Sequence, residues 1–222
     1  MRIVAIDTST DWCSVALWSG EEGAALERRA DRHHAELALP MLRRLLATVG
    51  AGMSAVDAVA FGAGPGSFTG LRIACGIAQG LAMAGGLPVI GISTLEAMAE
   101  ESGALRVVVC LDARMQEVYY ACLERAAGEW HPSVGARCIA PAAAPVPPGA
   151  GWVGCGGGFS AYGDALEHVG ARVLPNVHPT AAAVARLAAP RLSRGEGVDA
   201  ALAAPVYLRD KVALTVEERL AR

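Results

Sequence analysis

Lysine is almost absent from this chain. Of 222 residues only Lys211 is one. That shortage removes two classes of function. A P-loop needs a lysine after its second glycine, in a Gly-x-x-x-x-Gly-Lys-Ser/Thr run, and no glycine stretch here supplies it. A protein that binds nucleic acid by its own surface carries a basic patch, whereas this chain has a net charge of -3 and a pI near 6.0. Its arginines are scattered, with Arg28-Arg29 and Arg43-Arg44 as the only doublets.

Other absences narrow the field further. The six cysteines (Cys13, Cys75, Cys110, Cys122, Cys138, Cys155) contain no C-x-x-C and no short pairing. They read as buried, reduced thiols of a cytoplasmic protein, not as a disulfide framework or a zinc site. No apolar run is long enough to span a membrane, and Asp7 interrupts the opening strand too early for a signal peptide. There is no G-x-S-x-G elbow and no Ser-His-Asp order. With 53% hydrophobic and 18% charged residues, a large core is assured, and the apolar surplus points to a surface covered by a partner.

What the chain does contain is organised around Gly62-Ala63-Gly64-Pro65-Gly66-Ser67-Phe68-Thr69-Gly70-Leu71-Arg72. An apolar strand pattern, residues 56–61, enters it, and a small-residue helix pattern runs on to Gly85. Ser67 or Thr69 can cap that helix. Such a loop either cradles an anion at a helix N-terminus or shapes a tight packing surface. The glycine spacing does not match the dinucleotide fingerprint, since Ser67 and Thr69 stand where the third glycine is needed.

Around this centre, residues 2–6, 13–18 and about 24–29 read as an antiparallel meander. Residues 33–49 read as a helix interrupted or started late by Pro40. A fifth strand covers 88–92, and Ser93-Thr94-Leu95-Glu96 is a capping box opening a short helix whose solvated end is Glu100-Glu101. Ser102-Gly103 marks a boundary. After it the pattern restarts, with a strand from Arg106 ending at Asp112 and another over 118–124. Two halves that each open with a strand ending in an acid suggest a duplicated α/β unit, with lobes at 1–103 and 104–205. A Pro/Ala-rich loop fills 141–149, and Gly154 to Gly158 forms a second glycine turn. Pro179 reads as the first residue of an alanine-rich helix. Residues 205–209 read as extended, and the segment from about 206 to 222, with a capping box at Thr215–Glu218, is expected to pack back on the first lobe.

Four segments, taken together and in order, resemble the bacterial TsaB (YeaZ) family: Asp7-Thr8-Ser9-Thr10, residues 64–72 of the glycine loop, Leu111-Asp112-Ala113-Arg114 with Glu117-Val118-Tyr119, and Pro205-Val206-Tyr207-Leu208-Arg209. The resemblance covers the whole chain. It implies a two-lobed α/β fold of the actin/Hsp70/sugar-kinase (ASKHA) type. It also implies a role in forming threonylcarbamoyladenosine beside the tRNA anticodon, as a non-catalytic scaffold of the TsaD transferase in an assembly joined by the ATPase TsaE. Contact with tRNA would come only through that complex. TsaD-like proteins carry two metal-binding histidines on the helix after the fifth strand. Thr94 and Met98 occupy those places here, and neither replaces imidazole. No metal site and no required cofactor are therefore expected.

Two candidate sites follow. Asp7, Gly156 and Gly157 would belong to a relict nucleotide cleft. Leu37, Met41 and Leu45 on the first helix, with Ile73, Gly76, Ile77, Gly80 and Ala84 on the second, would form a partner interface. Gly76 and Gly80 lie four apart, so their backbone can meet another helix closely, and a helix apolar nearly all round is buried on all sides. The same face would allow self-association of the isolated chain. The competing reading is an independent enzyme of the same fold, a small-molecule kinase or a peptidase.

Overall fold

In a computed structural model, residues 1–20 and 23–209 are described. The chain forms β1 (Ile3–Asp7), β2 (Trp12–Trp18), β3 (Gly23–Arg29), α1 (His34–Thr48), β4 (Ala58–Gly64), α2 (Phe68–Gly85), β5 (Val89–Ser93) and α3 (Thr94–Glu101). It then forms β6 (Arg106–Arg114), β7 (Glu117–Ala126), β8 (Glu129–Ile139), β9 (Val153–Cys155), α4 (Gly157–Ala161), α5 (Gly163–Leu166), β10 (Arg172–Leu174) and α6 (Ala181–Ser193).

The two sheets have one topology, used twice. The first runs β3-β2-β1-β4-β5, and the second, read from its far edge, β8-β7-β6-β9-β10. In each, the first three strands of the half form an antiparallel meander and the last two join in parallel. This is the duplicated α/β architecture expected from the restart after Gly103 and from the resemblance.

Strand β1 is buried along its whole length. Its side chains alternate between two cores, as the two-residue period of a strand requires. Ile3 and Ala5 face a core shared with α3, α6 and the inner residues Val107, Val109 and Leu111 of β6. Val4 and Ile6 face α1 and α2, against Leu42, Leu45, Leu46, Ala74 and Ala78. The outer face of the second sheet has its own core around Val108, Cys110, Tyr120, Trp152 and Leu166. The first core joins both sheets through α3 and α6. The alanines of α6 (Ala181, Ala183, Ala185, Ala188, Ala189) are small enough to fit between them.

Several local expectations change. The second lobe was expected to run to residue 205, but its sheet ends at Leu174 and the chain then returns to the first sheet. Helix α6 lies on that sheet. Val198 pairs with Val89 beside β5, and the Val206 amide donates to the Ala63 carbonyl at 2.7 Å. The returning segment is thus held by the first lobe through Val206, while Arg209 reaches Arg114 and Glu117 of the second sheet; residues 210–222, with the expected capping box, lie outside the described residues. Pro40 sits inside α1 without ending it. The helical bond that Pro40 cannot donate is the one to the Glu36 carbonyl, and Glu36 is an exposed residue. Pro179, expected as the first residue of this helix, lies before it: Thr180 caps α6, accepting from the Ala183 amide. Ser93 accepts from the Glu96 amide, but the Glu96 carboxylate turns away to Arg191 at 2.6 Å. The Glu100–Glu101 end of α3 is not solvated. Arg125, Trp130 and Arg186 all donate to Glu100 or approach it, while Thr180 and Arg186 donate to Glu101. Two adjacent side chains point apart on a helix, and here the second sheet takes one while α6 reaches both.

The glycine loop is shaped by close packing. A side chain at Gly62 would overlap the Asp7 carboxylate, one at Gly66 the Ser9 carbonyl, and one at Gly70 the Thr8 carbonyl. The Thr8 hydroxyl donates to the Gly70 carbonyl at 2.6 Å and the Ser67 amide to Ser9 at 2.7 Å. Ser67 caps α2, accepting from the Gly70 amide at 3.3 Å. Gly76 and Gly80 differ, since a side chain at either meets nothing within 4 Å. Alanine is favoured over glycine in a helix by about 1 kcal/mol. Gly76→Ala is therefore expected to stabilise the isolated chain by roughly 0.5–1 kcal/mol, whereas Gly70→Ala, which collides with backbone, destabilises it by at least ~2 kcal/mol. Urea denaturation of the two variants beside the parent chain checks both signs.

Candidate functional site

The expected relict cleft is sealed at Asp7. The carboxyl is fully buried, and its Oδ1 accepts from the Ser9 amide at 3.0 Å and the Ser9 hydroxyl at 2.8 Å. Its Oδ2 has no hydrogen-bond partner among the described residues and lies against Gly62. Burial therefore outweighs the Ser9 bonds and lifts its pKa from 3.8 to about 6. The second glycine turn is likewise occupied by protein. Gly156, at φ 109°, and Gly158 both lie against Cys110, so neither has room for a side chain, while Gly157 faces open space. Asp112 accepts from the Arg114 amide at 2.8 Å and the Tyr162 hydroxyl at 3.2 Å, and its other oxygen meets the Arg114 guanidinium at 3.1 Å. Two open cavities, of about 280 and 460 Å³, are lined by Phe159, Leu166 and Val173, and by Trp18, Glu100, Arg125 and Arg186. Neither includes Asp7, Gly156 or Gly157. The structure does not bring these three residues to one surface.

Thr94 and Met98 are fully buried, Met98 in the core between the sheets. Among the described residues no group of three His, Cys, Asp or Glu side chains could hold a metal ion. These residues do not fit the metal of TsaD-like proteins. All six cysteines are free thiols. Burial pushes Cys13 up to about 11 and Cys110 and Cys155 up to about 12, which keeps them protonated and poor nucleophiles. His33 pairs with Glu36 on the surface, and His34 is buried against the Thr10 carbonyl at 2.8 Å.

The helix surface is different. Cys75, Ala78 and Ala82 of α2 are buried against the first sheet, as is Leu45 of α1. Leu45 therefore belongs to the chain's own core and not to the expected interface. Leu37, Met41 and Ile77 are half-buried between α1 and α2 and back the surface from below. Gly76, Gly80 and Ala84 are exposed, and Ile73 is half-exposed beside them. Met83 is 70% exposed, so α2 is not buried on all sides within this chain as its apolar pattern suggested. The outward row is Phe68, Arg72, Gly76, Gly80 and Ala84, each four residues from the last, so they form one ridge. Its middle is a notch two glycines long.

Sequence reasoning missed the N-terminal end of this ridge. Phe68 and Tyr207 are large exposed rings, 5.5 Å apart between centroids, and the Arg72 guanidinium carbon lies 3.4 Å from the Phe68 ring. Extending the four-residue spacing back from Gly76 reaches Arg72 and Phe68. Nothing in the local pattern brings Tyr207 there.

The Asp7 pKa carries a test. A carboxyl whose pKa is higher folded than unfolded stabilises the fold fully only below its unfolded pKa, and that contribution is lost as pH rises through the folded value. The loss for Asp7 spans pH 4 to 7. Asp7→Asn, which keeps the acceptor for Ser9, is expected to gain roughly 2 kcal/mol on the parent chain between pH 4.5 and 7.5. Denaturation curves of both proteins at the two pH values measure the difference.

Comparison with known proteins identifies the family. A family model described as TsaD, tRNA N6-adenosine threonylcarbamoyltransferase, matches residues 24–151. The tRNA threonylcarbamoyladenosine biosynthesis protein TsaB of Escherichia coli (strain K12) is 40% identical over 96% of this chain and 96% of its own length. The TsaB of Haemophilus influenzae is 49% identical over 56% of this chain and 55% of its own. A solved structure of YeaZ from Pseudomonas aeruginosa superposes with a TM-score of 0.88 at 41% identity, covering 93% of this chain and 99% of that one. Near-complete coverage by both sequence and structure means that the chain belongs to the TsaB (YeaZ) family.

Proposed function

We propose that the chain serves tRNA threonylcarbamoyladenosine biosynthesis as a scaffold without chemistry of its own, docking the TsaD transferase on the ridge of α2. The observation that carries this reading is the Gly76–Gly80 notch. Two glycines in a helix cost about 1 kcal/mol each relative to alanine, and this chain uses neither space. A helix from another protein, seated at close range, supplies the reason. The buried, protonated thiols and the sealed Asp7 fit the same reading, because neither offers a nucleophile or an open acid. A TsaE-type ATPase would join through the assembled pair, tRNA would be met only there, in the cytoplasm, and the isolated chain would pair with itself by the same ridge.

The independent-enzyme reading keeps one supporting observation, an acid at or near the end of the first strand of each half, Asp7 at the end of β1 and Asp112 two residues before the end of β6. Calorimetric titration with Mg-ATP separates the two: the scaffold reading expects no binding heat in the micromolar range and no turnover by the isolated chain. The scaffold reading itself is tested by Gly76→Leu with Gly80→Leu. Both side chains project into open space, so the variant should fold with an unchanged circular dichroism spectrum. Its affinity for the cognate TsaD should fall at least a hundredfold, and wild-type affinity in the folded variant would end the proposal.

A further inference from the structure

At the N-terminal end of the ridge lies an assembly that glycine packing does not explain. Arg72 is exposed and has no carboxylate partner among the described residues; its contacts are the rings of Phe68, at 3.4 Å, and Tyr207, at 5.6 Å. Phe68 and Tyr207 are 45% and 43% exposed. A guanidinium held flat against an aromatic face keeps its outward N–H donors free and gives up little freedom on binding.

The group is also built in advance. Tyr207 comes from a distant part of the chain, and its segment is tied down on both sides of it. The Gln79 side chain donates to the Ala203 carbonyl at 3.0 Å, and the Val206 amide donates to Ala63. Beyond it, Arg209 bonds the Arg114 carbonyl at 3.2 Å and the Glu117 carboxylate on the second sheet. The strap from 203 to 209 thus crosses from α2 to the β6–β7 turn and holds Tyr207 beside Arg72.

We propose that Phe68, Arg72 and Tyr207 form a preassembled anchor that takes an aspartate or glutamate from the protein seated on the α2 ridge. This rests on the docking reading above and adds to it the chemistry of the partner. A carboxylate accepts two parallel bonds from a guanidinium, and the exposed rings suit the apolar stem of that side chain. Arginine and tyrosine flanking a desolvated contact are the usual dominant residues of protein interfaces. RNA is the less suitable occupant. Phosphate binding depends on several cations together, whereas among the described residues Arg72 is the one cation on a ridge of glycine, alanine and aromatic residues, in a chain of net charge -3.

The test measures affinity for the cognate TsaD subunit at two salt concentrations. Arg72 is exposed, so its variants should fold and melt like the parent chain. Arg72→Gln is expected to weaken binding at least tenfold and to reduce its salt dependence, and Arg72→Glu to weaken it more. Tyr207→Ala should weaken it several-fold, and Arg72→Lys should not restore it, because lysine lacks the planar fork. Unchanged affinity of Arg72→Gln and Tyr207→Ala, beside loss of binding by the Gly76/Gly80 leucine variant, overturns the anchor and leaves the docking reading standing. Tighter binding by Arg72→Glu also overturns it, as does an effect confined to self-association or to RNA retention. Normal binding by all variants, including the leucine pair, overturns both proposals.

Discussion

The structure depends on how closely the turn after β1 approaches the glycine loop. Asp7, Thr8 and Ser9 present side-chain and carbonyl oxygens where Gly62, Gly66 and Gly70 would otherwise carry Cβ atoms. Three contacts follow from that approach: Thr8 to Gly70, Ser67 to Ser9, and the cap of α2 on Ser67. Together they fix where α2 starts and the direction in which it leaves. The buried faces of α2 then follow from Cys75, Ala78 and Ala82 meeting the sheet, and the opposite row is left outward. The loop that resembles a phosphate cradle in sequence is filled by the chain's own backbone.

The same approach explains Asp7. A carboxyl with one oxygen bonded and one pressed on a glycine has nowhere to place a charge, and its pKa rises accordingly. In a fold of this type, a strand-end acid facing an open cleft could hold a metal-bound ligand; here the acid is part of the packing. The shared core of α3 and α6 and the Glu100–Arg125–Arg186 cluster join the two sheets. The chain therefore presents its outward helix from a single packed unit, which is what a docking surface requires.

Much of this was legible in sequence, and for identifiable reasons. The first meander, α2 and the restart after Gly103 rest on local periodicity and turn residues, and the second sheet repeats the first strand for strand. Gly76 and Gly80, singled out by their four-residue spacing, lie on the outward row of α2. What was not legible depends on meetings between distant side chains. The boundary at 205 fails to anticipate α6 because its alanines say that it is tightly packed but not against which sheet. Glu100 and Glu101 read as solvated because their arginine partners lie 25 and more residues away. Leu45 has the same helical spacing as an interface residue and is instead core. Tyr207 joins Phe68 and Arg72 through a strap that no local pattern encodes.

The central claim is that the ridge of α2 is covered by another protein when the chain acts. Met83, 70% exposed beside that ridge, reports on it through its thioether. Hydroxyl-radical footprinting of the chain, diluted to a monomer and then mixed with its cognate TsaD subunit, measures the oxidation rate of Met83 in each state. The account predicts that complex formation slows it several-fold. An unchanged rate in a sample shown to be fully complexed would contradict it.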